Sequence, residues 1–174
     1  ARLSATALMN MAPGSEHDIT LTVEQHERSW FNLVTFTLRG RNYKGKVHIQ
    51  LLGKGAETHV AGAVIADGNE SVEKNILIEH AAEGCPSDML YKQILTGESR
   101  GLIEGKVLVQ PGAQKTVSHQ TFGNLCTSPE AQALSRPMLE IYADDVKCNH
   151  GATVGKLDEA ALLYMRQRGI PETE

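Results

Sequence analysis

The sequence predicts a mainly β protein, and three observations carry the prediction. Strand-length runs of alternating apolar and polar residues recur along most of the chain. Glycine-containing polar turns separate them, and helical spacing begins only at Leu157. Short strands joined in this way suit a sandwich, a barrel or a solenoid, and periodicity alone does not choose among the three. Two features favour the solenoid. Runs such as Val60-Ala61-Gly62-Ala63-Val64-Ile65 are apolar on both faces, and Asp-Gly or Asn-Gly hairpin signals are nearly absent beyond Asp67-Gly68. Only three Phe and one Trp occur, which fits a narrow interior.

Taken in order, Ile19, Leu21 and Val23 alternate with Thr20 and Thr22. In the next run Trp30, Val34, Phe36 and Leu38 form the apolar parity, ended by Arg39-Gly40-Arg41-Asn42. Val47, Ile49 and Leu51 follow, with His48 and Gln50 on the other face. Gly53-Lys54-Gly55 interrupts, His59 to Ala66 resumes, and Asp67-Gly68-Asn69 turns the chain. Ile76 and Ile78 place His80 on their own parity, and a corner through Ala81, Ala82 and Gly84 leads to Cys85. Met89 to Leu95 is compatible with strand or short helix. Ile103, Val107 and Val109 alternate across Gly105 and stop at Pro111-Gly112. Val117, His119 and Leu125 share a parity. Gln120 to Pro137 is the least regular part, and Ser128 to Leu134 reads as a surface loop. From Leu157 the stripe Leu157, Ala161, Tyr164 and Met165 predicts a helix. Asp158 and Glu159 suit its start, Arg166 and Arg168 its end, and Gly169 and Pro171 stop it. The chain therefore divides into a β core over 1–156 and the start of a helical region over 157–174. Its abrupt ends read as those of a fragment of a longer chain.

The stretch with most chemistry is Leu139 to Gly155. Leu139, Ile141 and Ala143 share one parity, which flips at Asp144-Asp145, so that Val146, Cys148, His150, Ala152 and Val154 share the next face. Such a flip marks a bulge or corner at the acid pair. Cys148 and His150 then project to one side, and Gly151 permits close approach. A thiol and an imidazole make half of a metal site, since a full shell takes about four donors. No second Cys/His pair stands at ligand spacing, so the remaining donors would come from other rungs, another subunit or small thiols. The plainer reading is a buried thiol and a hydrogen-bonded core histidine. Asp144 and Asp145 could serve as acid/base groups or shape the corner. His80 and His119 read as core histidines, His48 and His59 as solvated, and His17 and His26 lie in polar surroundings.

Composition excludes several classes. A chain of 174 residues buries a sizeable core and most simply forms one domain. The net charge of −4 argues against nucleic acid, and no apolar run reaches the roughly 20 residues of a membrane span. No signal-peptide pattern is present. Three cysteines, Cys85, Cys126 and Cys148, do not form a secretory disulfide framework, and a reducing cytosol is expected. There is no Gly-x-x-x-x-Gly-Lys-Ser/Thr phosphate loop. A β-helical enzyme acting on polysaccharide would need paired acids along an aromatic-lined groove, and aromatics are scarce.

Ala143-Asp144-Asp145-Val146-Lys147-Cys148-Asn149-His150-Gly151-Ala152-Thr153-Val154-Gly155 resembles the signature of the SufB/SufD family, scaffold subunits of Suf iron–sulfur cluster assembly, and within it the SufD segment Cys-x-His-Gly-Ala-Thr. Gly53 to Glu57, Ala66-Asp67-Gly68, Ile78-Glu79-His80, Tyr91 to Leu95, Gly101-x-x-x-Gly105-Lys106, Ala113 to Thr116 with Gln120-Thr121, and Arg166 to Ile170 also look familial, in order, so the resemblance runs from about Leu33 to Ile170. It implies a right-handed parallel β-helix with a short C-terminal helix, acting as a non-catalytic scaffold. It further implies a SufB-like partner joined through the β-helices, with a transient cluster at their junction. A SufC-like ATPase would dock on the C-terminal helical region. Carried across, His150 is the implied SufD contribution to the cluster site and Cys148 the second candidate, while Cys85 sits at a family-like cysteine position. Two departures stand out. Phe122-Gly123-Asn124-Leu125-Cys126-Thr127 replaces an Asn-x-Asn-Leu-Leu-Leu run, and the chain stops at Glu174 where the family continues into further helices. An open solenoid end or edge would also suit a homodimer.

Overall fold

The computed structural model describes residues 1–12, 14–156 and 159–170. Among these residues the chain forms β1 (Arg2–Asn10), β2 (Glu16–Gln25), β3 (Trp30–Leu38), β4 (Asn42–Leu51), β5 (Glu57–Ala66), β6 (Ser71–His80), β7 (Pro86–Leu95), β8 (Arg100–Val109), β9 (Val117–Cys126), β10 (Gln132–Ile141), β11 (Lys147–Lys156) and α1 (Glu159–Gln167). The odd strands build one sheet and the even strands the other, and each strand pairs in parallel with the strand two ahead. The architecture is thus a parallel β-helix of two facing sheets, with two strands per turn of the coil. Leu157, Asp158 and Pro171, which the helical pattern used as start and stop, lie outside the described residues, as do the side chains of Glu159 and Ala161.

In-register partners stand between 26 residues apart, as Glu16 and Asn42, and 32 apart, as Arg100 and Gln132. Every second side chain of a strand faces the opposite sheet. In β6 these are Val72, Lys74, Ile76, Ile78 and His80, all buried. Stacked turns repeat the same inward columns, so the apolar core is continuous from Phe31 and Leu33 through Ile49, Val60, Ile78 and Met89 to Val107 and Phe122. Gly62 lies within it, where a Cβ would come within 2.1 Å of the Tyr91 ring. The missing side chain is what gives that ring its room.

Several expectations change. In β3 the inward residues are Phe31, Leu33, Thr35 and Thr37, while Trp30, Val34, Phe36 and Leu38 face outward. Both parities of that strand are largely apolar, so local alternation points the wrong way and the neighbouring turns decide. Met89 to Leu95 belongs to strand β7. The irregular Gln120 to Pro137 stretch contains most of β9 and half of β10, its alternation obscured because Gln120 and Asn124 occupy buried positions.

Backbone conformation explains one family of corners. Arg28, Gly55, Gly84 and Lys115 all take left-handed φ values of 52°, 69°, 69° and 60°. Their amides donate to the next coil, to the carbonyls of Lys54, Glu83, Gln114 and Asp145 respectively. Asp145 therefore terminates a ladder of stacked turns through its backbone carbonyl.

Lys74 is the least expected interior residue. It is buried, with Nζ 3.2 Å from the Tyr43 hydroxyl and lying over the Tyr43 ring. Burial pulls its pKa down to about 8. A folded pKa below the unfolded one means that stability is gained as pH rises from about 8 towards 10. Lys74→Met should raise Tm at pH 7 and remove that alkaline gain, checked by thermal melts across the range.

Candidate functional site

The end of the stack is defined by two edge strands, β11 in one sheet and β10 in the other. The Leu139 to Gly155 stretch crosses between them. Ile141 ends β10, Lys147 starts β11, and the parity flip at Asp144-Asp145 is the corner joining the two sheets. Three bonds hold that corner: Gln114 Oε1 accepts from the Asp145 amide at 2.9 Å, Lys115 donates to the Asp145 carbonyl, and Lys147 donates to the Thr116 carbonyl.

Register shows where the two candidate ligands point. Cys148 pairs with Ser118, His150 with Gln120, Ala152 with Phe122 and Val154 with Asn124. The four β9 residues are all buried, so their β11 counterparts continue the inward columns. Among the described residues no further strand covers β11, which leaves His150 exposed and Cys148 half-buried. The chain thus brings Cys148 and His150 together on one row at the end of its core that no described strand covers. Burial raises the Cys148 thiol pKa, with the Ser118 backbone partly opposing, so this sulfur would bind a metal only by releasing its proton.

The row rests on firm support. Asn124 Nδ2 donates to the Thr153 carbonyl at 2.6 Å, and Asn124 Oδ1 accepts from Gln93 Nε2 at 2.5 Å and from Ser135 Oγ at 2.9 Å. One buried amide therefore links β7, β9, β10 and β11. On the outer face, His119 Nδ1 lies 2.8 Å from Asn149 Oδ1. His119 is exposed there, contrary to the core role expected from its parity, because Val117 and Leu125 also face outward. A Cβ on Gly151 would meet nothing within 4 Å, so that position is bare surface.

The other candidates lie elsewhere. Cys85 is buried, its Sγ 3.4 Å from the Gly53 carbonyl, and burial raises its pKa, the mark of an inert thiol. Cys126 is buried in a second cluster with Tyr43, Val64 and Leu95. His80 is a core histidine, with Nε2 3.0 Å from Ser87 Oγ, which in turn lies 2.8 Å from Ser118 Oγ. His48 and His59 sit on outer faces beside carboxylates, 3.5 Å from Glu79 for the former and 2.6 Å from Glu57 for the latter. Among the described residues no group of three or more His, Cys, Asp or Glu side chains converges to hold a metal. Sequence reasoning gave Gln120 only as part of a family-like Gln120-Thr121 pair and Asn124 only as part of a departing run, with no role at the site for either. The roughly 30-residue spacing that stacks Ser118-x-Gln120-x-Phe122-x-Asn124 under Cys148-x-His150-x-Ala152-x-Val154 was the signal that could have found them.

Comparison with known proteins adds the following. The family described as SUF system FeS cluster assembly, SufBD core domain, matches residues 1–174. The chain is 34% identical over 140 residues to the iron–sulfur cluster assembly protein SufD of Escherichia coli, covering 80% of this chain and 33% of that one. It is 31% identical over 149 residues to an iron–sulfur cluster assembly SufBD family protein of Mycobacterium leprae, covering 81% and 38%. Against the chloroplastic protein ABCI7 of Arabidopsis thaliana it is 31% identical over 173 residues, covering 98% and 36%. The chain spans well under half the length of these relatives.

Proposed function

Because the chain belongs to the SufBD core family of the SUF iron–sulfur cluster assembly system, we propose that it acts as a SufD-like scaffold, with His150 and Cys148 contributing to the place where a nascent cluster forms. The observation carrying this reading is the inward row of β11, which holds an imidazole and a thiol on one side of an uncovered edge strand. A rigid sheet keeps two ligands at fixed spacing before the metal arrives, which lowers the ordering cost of binding. Two donors do not complete an iron shell, so a SufB-like subunit set against this end supplies the rest. The free hydrogen-bonding groups of β11 suit edge-to-edge pairing with such a subunit, or with a second copy of this chain. The cluster is cargo, transiently shared and passed on.

In this reading the chain performs no catalysis of its own. ATP hydrolysis belongs to a SufC-like partner docked on the helical region that α1 begins. No described helix is long and apolar enough to cross a membrane, and a cytoplasmic location follows from the reading. His150→Ala in the full-length protein should abolish cluster accumulation while the assembly with its scaffold and ATPase partners still co-purifies. Iron and sulfide titration of the wild-type and variant complexes is the measurement. Equal cluster yield would remove His150 from the mechanism and leave a purely structural interaction module as the better account.

A further inference from the structure

We infer that Gln120 is the residue that positions His150, its amide oxygen accepting the proton of one ring nitrogen so that the other is presented at the open end. The inference rests on the reading of His150 as a ligand and adds a residue to it. Gln120 is buried in β9 and pairs in register with His150 on the neighbouring strand, in the same inward column. Adjacent strands lie about 4.8 Å apart, so consecutive side chains of a column stack on one another. Its Nε2 donates to the Met138 carbonyl of β10 at 3.2 Å, which fixes the orientation of the amide: exchanging N and O would set two oxygens face to face. The other end, Oε1, is buried and has no hydrogen-bond partner. A buried carbonyl oxygen left in that state is costly, and a donor in reach would be recruited.

Among the described residues stacked on or beside Gln120 in its own sheet, one strong donor is left. Below Gln120 in the column is Met89, and beside it on β9 stand Phe122, which has no polar hydrogen, and Ser118, whose hydroxyl is engaged with Ser87. Above it is His150, with Cys148 a weak donor one position along the row. An imidazole that binds a metal through one nitrogen commonly donates its other N–H to a protein acceptor, which selects the tautomer and the ring orientation. Gln120 meets that requirement from inside the stack, with its own far end tied across to the second sheet.

The test is nitrogen-15 NMR of the histidine rings in the intact protein without metal, with the His150 resonances assigned by their loss in His150→Asn. In wild type we expect His150 in one dominant tautomer with a ring N–H protected from solvent exchange. Gln120→Met keeps the volume and removes the acceptor. It should mix the tautomers and speed exchange of that N–H by about tenfold, the scale of one lost hydrogen bond. A wild-type ring that already populates both tautomers with a freely exchanging N–H overturns the inference, and that measurement needs no variant to fold. Spectra unchanged by Gln120→Met in a protein that melts normally overturn it too. Neither readout involves a cluster, so a failed His150→Ala cluster experiment would leave the positioning result standing on its own.

Discussion

Gly53→Ala is expected to be among the most destabilising single substitutions in this protein, costing more than about 3 kcal/mol for one added methyl group. Gly53 sits at a corner between β4 and β5, where its amide donates to the Gln25 carbonyl of the preceding coil at 3.1 Å. A Cβ at this position would lie 2.0 Å from the Glu27 nitrogen, 2.3 Å from the His26 carbonyl carbon and 2.6 Å from the Glu27 Cα. All three are backbone atoms of the adjacent turn, so no rotamer change can relieve the overlap. The coils themselves must separate, and the Cys85 thiol resting on the Gly53 carbonyl would move with them. Gly151→Ala is the matched control, since nothing lies within 4 Å of its Cβ, and it should alter stability by less than about 0.5 kcal/mol. Urea denaturation of the two variants beside wild type checks the contrast. A Gly53→Ala midpoint within error of wild type would show that the coils slide past one another far more easily than this packing implies.

Acid should destabilise the fold through His80 before the carboxylates titrate. The ring is fully buried on the inner face of β6, and burial lowers its pKa from 6.5 to about 4, partly opposed by a hydrogen bond to the Cys85 backbone. Above pH 6.5 the ring is neutral in both folded and unfolded chains and contributes no pH dependence. As pH falls below 6.5 the unfolded chain takes up a proton that the folded one refuses, and stability is lost until about pH 4. A difference of that size corresponds to about 3 kcal/mol, a large share of what a domain possesses. Chemical denaturation at pH 7, 6, 5 and 4 measures the loss, and a His80→Gln variant should flatten it in that window. An equally steep decline in the variant would assign the acid sensitivity to other groups.

Much of the geometry of the candidate site was legible in the residues. The parity flip at Asp144-Asp145 marks the real corner between β10 and β11, and the two-residue spacing of Cys148 and His150 sets them on one side of a strand. Their resemblance to a Suf signature pointed to the family that the comparisons support. His119 and the Trp30 to Leu38 run were misjudged for a single reason. Alternation states which residues share a face, and names the inner face only when the other one is polar. Here the outer face of the odd-strand sheet carries Leu8, Phe36, Ile65, Leu90 and Ile94, all exposed, so hydrophobicity does not separate inside from outside.

Alternating short runs, glycine corners and the late change to helical spacing determined by themselves that the chain forms many short strands and then a helix, because those are local properties of neighbouring residues. Which strand lies on which, and therefore that Gln120 underlies His150 and that Asn124 ties the last strand to both sheets, was decided only in three dimensions. Parallel stacking joins residues about 30 positions apart. No local period encodes a register of that length; it is set by the corners that close each coil and by which inward side chains fit above one another.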